Sequence, residues 1–135
     1  MAVEVKEVWR ITRMLVASGT VTINDLVTAA AGGVQTGADG GTLFGVALET
    51  GTAAAGDIIN VMIKGTIIGD AASGVDFATG DHVYLAGSNE FDAGTVTNIS
   101  AGLIAVQDGV PTDPATAGKI FVVIHSSAVN SLIHA

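Results

Sequence analysis

The chain has 135 residues, a net charge of −8 at pH 7 and no cysteine. That length suits one domain burying roughly two-thirds of its unfolded surface, and the missing thiols exclude disulfides, thiolate metal sites and cysteine nucleophiles. The acidic balance argues against nucleic acid and against an anionic membrane surface as partners, because both require clustered cations.

Charged residues make up 13% of the chain, about half the roughly 25% of an ordinary soluble domain. No apolar run approaches the ~20 residues of a membrane span. A chain this apolar is expected to hide outer surface against other protein chains, so an oligomer or assembly is expected. Its charge is uneven. Lys6, Arg10 and Arg13 lie within the first 13 positions beside Glu4 and Glu7, while Lys64 and Lys119 stand against the other eleven acids.

In residues 1–17, Val3, Val5, Trp9, Ile11 and Leu15 fit the alternation of a strand. Val5, Val8, Trp9, Leu15 and Val16 fit a helical face equally well. The charges at Glu4, Lys6, Glu7, Arg10 and Arg13 leave no apolar core for a signal peptide. This segment carries the only Trp, lies outside the repeats that follow, and is read as an N-terminal arm. Strands are expected at Gly19–Ile23, Leu26–Ala29, Leu43–Glu49, Asp57–Ile68, His82–Ala86, Thr95–Ile99, Gly102–Val106 and Lys119–His125, each bounded by turn residues. Residues 29–41 read as a Gly-rich loop and residues 126–135 as a C-terminal tail. Nothing has the pattern of a long amphipathic helix.

One phrase recurs through these strands: a turn pair, then an apolar run. It appears at Asn24-Asp25-Leu26-Val27, Gly56-Asp57-Ile58-Ile59, Gly80-Asp81-His82-Val83 and Gly118-Lys119-Ile120-Phe121. Gly, or Asn as its nearest substitute, supplies the left-handed backbone of a tight turn. A polar residue caps the turn and β-branched residues open the strand. A second landmark, Gly45-Val46-Ala47-Leu48 and Gly102-Leu103-Ile104-Ala105, sets the copies in register. The body 18–125 therefore reads as two tandem quasi-repeats, about 18–74 and 75–125. Offsets between matching landmarks are 56, 57 and 62 residues. The surplus falls in a loop around Pro111 and Pro114, which cannot donate ladder hydrogen bonds.

Candidate chemistry is sparse. Gly37, Gly40 and Gly41 lack the Lys-Ser/Thr and helix of a phosphate loop. His82, His125 and His134 have no metal-ligand spacing. Asp70, Asp76 and Asp81 match no EF-hand loop. Glu90 and Asp92 read as a polar hairpin tip, and Lys64 sits inside a strand rather than at the hairpin tip of a lipoyl carrier. No catalytic, metal or cofactor-binding residues are assigned, and no cofactor is expected.

The landmarks together resemble a family of tailed-phage capsid decoration (cement) proteins, formerly a domain of unknown function. The resemblance is carried by Asn24-Asp25-Leu26-Val27, Gly45-Val46-Ala47-Leu48-Glu49, Ala53-Ala54-Ala55-Gly56-Asp57 and Lys64-Gly65. It continues through Ala78-Thr79-Gly80-Asp81-His82-Val83-Tyr84, Gly102-Leu103-Ile104-Ala105-Val106 and Ala117-Gly118-Lys119, spanning about residues 18 to 125. Asn24 stands where the family pattern has glycine, and Lys119 where it has an acid. The motifs are turns and strand starts, so they speak to architecture more than to chemistry.

The expected fold is all-β: a compact antiparallel β-barrel or sandwich from two tandem quasi-repeats, with an N-terminal arm. The resemblance implies a homotrimer on the outer surface of an icosahedral head, clamping major capsid protein subunits and performing no catalysis. The arm residues Val5, Lys6, Trp9, Arg10, Ile11 and Arg13 are the expected capsid contacts, ordering on binding. The alternative is a surface-displayed β-sandwich binding a receptor or glycan. Such sites expose several aromatics, and this chain has one Trp, one Tyr and four Phe.

Overall fold

The computed structural model describes residues 3–36, 43–48, 51–71, 77, 79–86, 89–92, 102–105 and 119–125. All of its regular structure is β, as expected. The strands are β1 (Glu4–Leu15), β2 (Thr20–Thr22), β3 (Leu26–Ala30), β4 (Gly33–Thr36), β5 (Leu43–Ala47) and β6 (Thr52–Ala54). They continue as β7 (Ile58–Ala71), β8 (His82–Ala86), β9 (Glu90–Asp92), β10 (Gly102–Ala105) and β11 (Lys119–His125). The expected strand Thr95–Ile99, the proline loop and the tail lie outside the described residues.

The turn phrase folds as its chemistry dictates. Asn24, Gly56 and Gly80 all have φ between 66° and 98°, the left-handed region that glycine and asparagine tolerate best. At the first two, the following aspartate closes the turn. Asp25 Oδ2 accepts the Thr22 N–H at 2.8 Å, and Asp57 Oδ2 accepts the Ala54 N–H at 2.9 Å. The segments just before these turns, β2 and β6, pair with each other as a separate two-stranded sheet.

The other strands form a nine-stranded sheet in the order β11-β10-β8-β9-β7-β5-β3-β4, with β1 added on β7. The duplication is visible in this order. The run β7-β5-β3-β4 in the first half is matched by β11-β10-β8-β9 in the second. Register agrees as well: Gly45 stands opposite Val27, and Gly102 opposite Val83. Both glycines answer one constraint. A Cβ on Gly45 would meet the Met62 carbonyl oxygen at 2.2 Å, and one on Gly102 would meet that of Val123 at 2.4 Å. The second landmark therefore marks where the strand closing each half passes too close for any side chain.

Two features depart from the expected antiparallel barrel. β9 runs parallel to β7, so the sheet is mixed. The sheet as a whole is also not closed into a barrel, although β11 pairs back onto β7 and joins β9, β8 and β10 in a ring, which leaves the sandwich-like form of the expectation. β7 is long enough, at 14 residues, to serve both halves. Its two edges take β1, β5, β9 and β11 at successive positions.

Apolar burial forms two clusters, the first drawing on both halves and the second on the first half and the N-terminal segment. One cluster collects Leu26, Leu43, Met62, Ile67, Phe91, Ile120, Val122 and Ile124, among others. The second collects Val16, Val21, Val27, Val34, Ala47, Ile59, Val61 and Ile63. β7 feeds both. Burying each large aliphatic or aromatic side chain contributes about 1.5–3 kcal/mol. Across the halves, Asn89 Oδ1 accepts the Leu26 N–H at 2.7 Å, and its Nδ2 donates to Asp25 Oδ1 at 3.0 Å. Asn89, itself at φ 61°, thus fastens the second half's hairpin onto the first half's turn.

The N-terminal segment lies outside the repeated pairing order, and it is not a free arm. It forms a 12-residue strand antiparallel to β7, from Glu4 opposite Ile68 to Leu15 opposite Ile58. Its flanking valines are anchors: Val3 is buried in the first cluster and Val16 in the second. The physical reason is the unused edge of β7, whose N–H and C=O groups take β1 as their partner.

Candidate interaction surface

Within β1 no residue is fully buried; the strand pairs along one edge of β7 and reaches the cores only near its ends. Trp9 is 56% exposed and Ile11 51%, with Val8 and Leu15 also exposed. Ile58 of β7, 56% exposed, stands directly opposite Leu15 and extends the apolar strip. Directly opposed residues of an antiparallel pair share a face, so Leu15 and Ile58 form one contiguous patch.

The strand is bulged. Its register against β7 shifts between Val5 and Glu7, between Val8 and Arg10, and between Arg10 and Ile11. The first two shifts leave Lys6 and Trp9 as extra residues without a β7 counterpart, and bulges of this kind re-aim side chains. Gly65 lies at this irregularity because a Cβ there would meet the Glu7 carbonyl oxygen at 2.2 Å.

Charge frames the patch. Arg10 is opposite Lys64, and Arg13 is opposite Asn60; Arg10, Arg13 and Lys64 are all exposed. The two acids of β1 are already engaged. Glu4 forms a salt bridge with Lys6 at 2.9 Å, and Glu7 Oε1 accepts the Trp9 indole N–H at 3.2 Å. Among the described residues, Arg10, Arg13 and Lys64 have no salt-bridge partner. Lys119 pairs with Asp70 on the other side of β7.

Of the six expected contact residues, Lys6, Trp9, Arg10, Ile11 and Arg13 are exposed on this surface. Val5 is half-buried and packs against the first core cluster. Sequence reasoning missed Val8, Leu15, Ile58 and Lys64 as members of the surface. Val8 and Leu15 carried a signal, being apolar residues of the same strand. Ile58 and Lys64 carried none, because only the β1–β7 register brings them there.

The remaining candidates fall elsewhere. Glu90 and Asp92 flank the fully buried Phe91 on β9, so the expected hairpin tip is a strand of the sheet. His82 is exposed at the start of β8. Asp76, His134 and the glycines at 37, 40 and 41 lie outside the described residues. Among the described residues no three His, Asp or Glu side chains come together as a metal site.

No protein-family model matches the chain, and no curated protein matches it.

Proposed function

We propose that this chain is a structural capsid decoration protein, which binds the outer surface of an icosahedral phage head as an oligomer and stabilises contacts between major capsid subunits. The observation that supports this reading best is the apolar, cation-rimmed surface of β1 and β7 on an otherwise acidic all-β body. The landmark resemblance over residues 18–125 adds the family context. A rigid body presenting one adhesive strip suits a clamp. Several copies linked in a trimer would multiply weak contacts into firm attachment without any single strong one.

The structure changes how the idea must be tested. Removing residues 1–16 would take Val3 and Val16 out of both cores and strip β7 of a partner, so loss of binding would only report misfolding. Surface substitutions are the sharper tool. Light scattering of the purified protein gives the oligomeric mass, with a trimer expected. Co-sedimentation with empty heads then follows, with the wild type bound and a Trp9→Ala, Ile11→Asp double variant lost from the pellet. Unchanged occupancy by that variant, or no binding by the wild type, would sink the proposal.

The glycan-binding alternative draws on one observation, the exposed indole of Trp9. Phe77 and Phe91 are buried, and Phe44, Phe121 and Tyr84 are half-buried, so Trp9 stands without a second exposed ring. A stacking platform needs more.

A further inference from the structure

We propose that the β1–β7 surface receives an extended, acidic–apolar segment of the partner protein, laid along β1. The proposal rests on the decoration reading for the identity of that partner, and on the geometry for its chemistry. A chain with 13 acids and five basic residues has ample means to neutralise its own cations. It nevertheless gathers Arg10, Arg13 and Lys64 on one exposed surface, unpaired among the described residues, with Arg10 and Lys64 as cross-strand neighbours. Like charges held opposite each other are unfavourable in isolation. An incoming carboxylate converts that repulsion into attraction.

The form of the occupant follows from the strand. Among the described residues β7 is the only strand paired along β1. β4 closes on the C-terminal end through the Val16–Val34 bridge and the Ala17 N–H donated to the Val34 carbonyl. This leaves the outer backbone edge from Glu4 to Met14 without a paired strand among the described residues. Exposed edges are ordinarily guarded by cations and bulges, and β1 has both, at Arg10 and Arg13 and at Lys6 and Trp9. Those guards repel basic strands and admit acidic ones, so protection and selection come from the same residues. Trp9, Ile11, Leu15 and Ile58 supply the apolar contacts that alternate side chains of an extended segment need. A second copy's β1 is a poorer occupant, because its two acids, Glu4 and Glu7, are already engaged by Lys6 and by the Trp9 indole. The acidic body, meanwhile, is repelled by an acidic partner. The molecule is thereby oriented with β1 toward it.

Trp9 is the sole tryptophan, so its fluorescence reports on this surface alone. Three synthetic peptides of about twelve residues, the length scale of β1, would be titrated into the intact protein: alternating Glu-Val, Thr-Val and Lys-Val. The Glu-Val peptide is expected to shift Trp9 emission with about tenfold higher affinity than Thr-Val, and Lys-Val to have no effect. Raising salt from ~0.05 M to ~0.5 M should weaken Glu-Val binding by about tenfold or more. An Arg10→Glu, Lys64→Glu double variant should lose the preference while keeping its thermal midpoint. Equal response to the neutral peptide, or no response to the acidic one, would overturn the proposal. Shell co-sedimentation run in parallel separates the two readings. Shell binding without acidic-peptide binding leaves the decoration role and removes this chemistry; the reverse removes the role and leaves the site.

Discussion

β1 and β11 flank the same stretch of β7 on its two edges, and they are held there by different physics. β11 pairs from Lys119 opposite Asp70 to His125 opposite Lys64 without a register shift, and buries Ile120, Val122 and Ile124 in the first core. β1 pairs over a longer stretch with three shifts and buries no side chain fully between its anchoring valines, with only Val5 and Met14 packing partly against the cores. Apolar burial enforces register, since a slip of one residue turns a whole face outward. Where no face is buried, bulges cost little and side chains are free to serve a partner. The contrast teaches that a strand can belong to a sheet by its backbone and to the surface by its side chains.

The comparison breaks most visibly under core truncation. Ile120→Ala should cost about 2–5 kcal/mol, the range for removing a fully buried aliphatic side chain, read as a fall in the denaturation midpoint. Ile11→Ala, the same chemistry on the other edge of β7, should leave that midpoint nearly unchanged. A comparable loss in both would show that β1 is as much core as β11.

Next in size is Gly65→Ala. The new Cβ would overlap the Glu7 carbonyl oxygen, so β1 must shift from β7 at its bulge, at a cost of about 1–3 kcal/mol. Hydrogen exchange should then quicken at β1 amides and leave those of β11 protected. Uniform quickening would mean that the two edges are coupled.

Asn89→Ala tests the join between halves instead of either edge of β7. It leaves the part-buried Leu26 N–H without its acceptor and should cost about 1–2 kcal/mol. The comparison sharpens if β11 and β3 lose protection together while β1 follows later.

Much of this architecture was legible because turn chemistry is local. Asn24, Gly56 and Gly80 announced left-handed turns, and Asp25 and Asp57 their caps, without reference to anything distant. The landmarks at Gly45 and Gly102 were visible as a repeat, but their cause was not, since the oxygens they make room for belong to strands far along the chain. β4 was hidden inside a Gly-rich stretch, where only the burial of Val34 in the second core reveals it. β9 was hidden because Glu90 and Asp92 masked Phe91. The conformation of residues 4–15 stayed open between strand and helix, since the side chains that would set a period are not buried. The interaction surface was half legible: β1 supplied its own residues, while Ile58 and Lys64 arrive only through pairing.

A smaller effect, of opposite sign, lies on β7 itself. Thr66 is buried between β1 and β11, and its Oγ1 has no hydrogen-bond partner among the described residues. Replacing it with the similarly shaped Val removes an unsatisfied polar group, so Thr66→Val should raise stability by up to about 1 kcal/mol. A loss would mean that the hydroxyl is satisfied in the folded protein.

The smallest stability effect is expected where the largest binding effect is expected. Trp9 is more than half exposed at a bulge, and its one polar contact is to Glu7 on the same strand. Truncation to Ala removes little buried area, and surface changes of this kind stay within about 0.5 kcal/mol. The same ring is large, rigid and set amid exposed apolar neighbours, the profile of residues that dominate interfaces, where truncation costs about 2 kcal/mol or more of binding. Trp9→Ala should therefore leave the denaturation midpoint in place and lower affinity for the partner surface by about thirtyfold. Were the midpoint to fall while affinity held, Trp9 would be part of the framework, and the distinction between the two edges of β7 would fail at its centre.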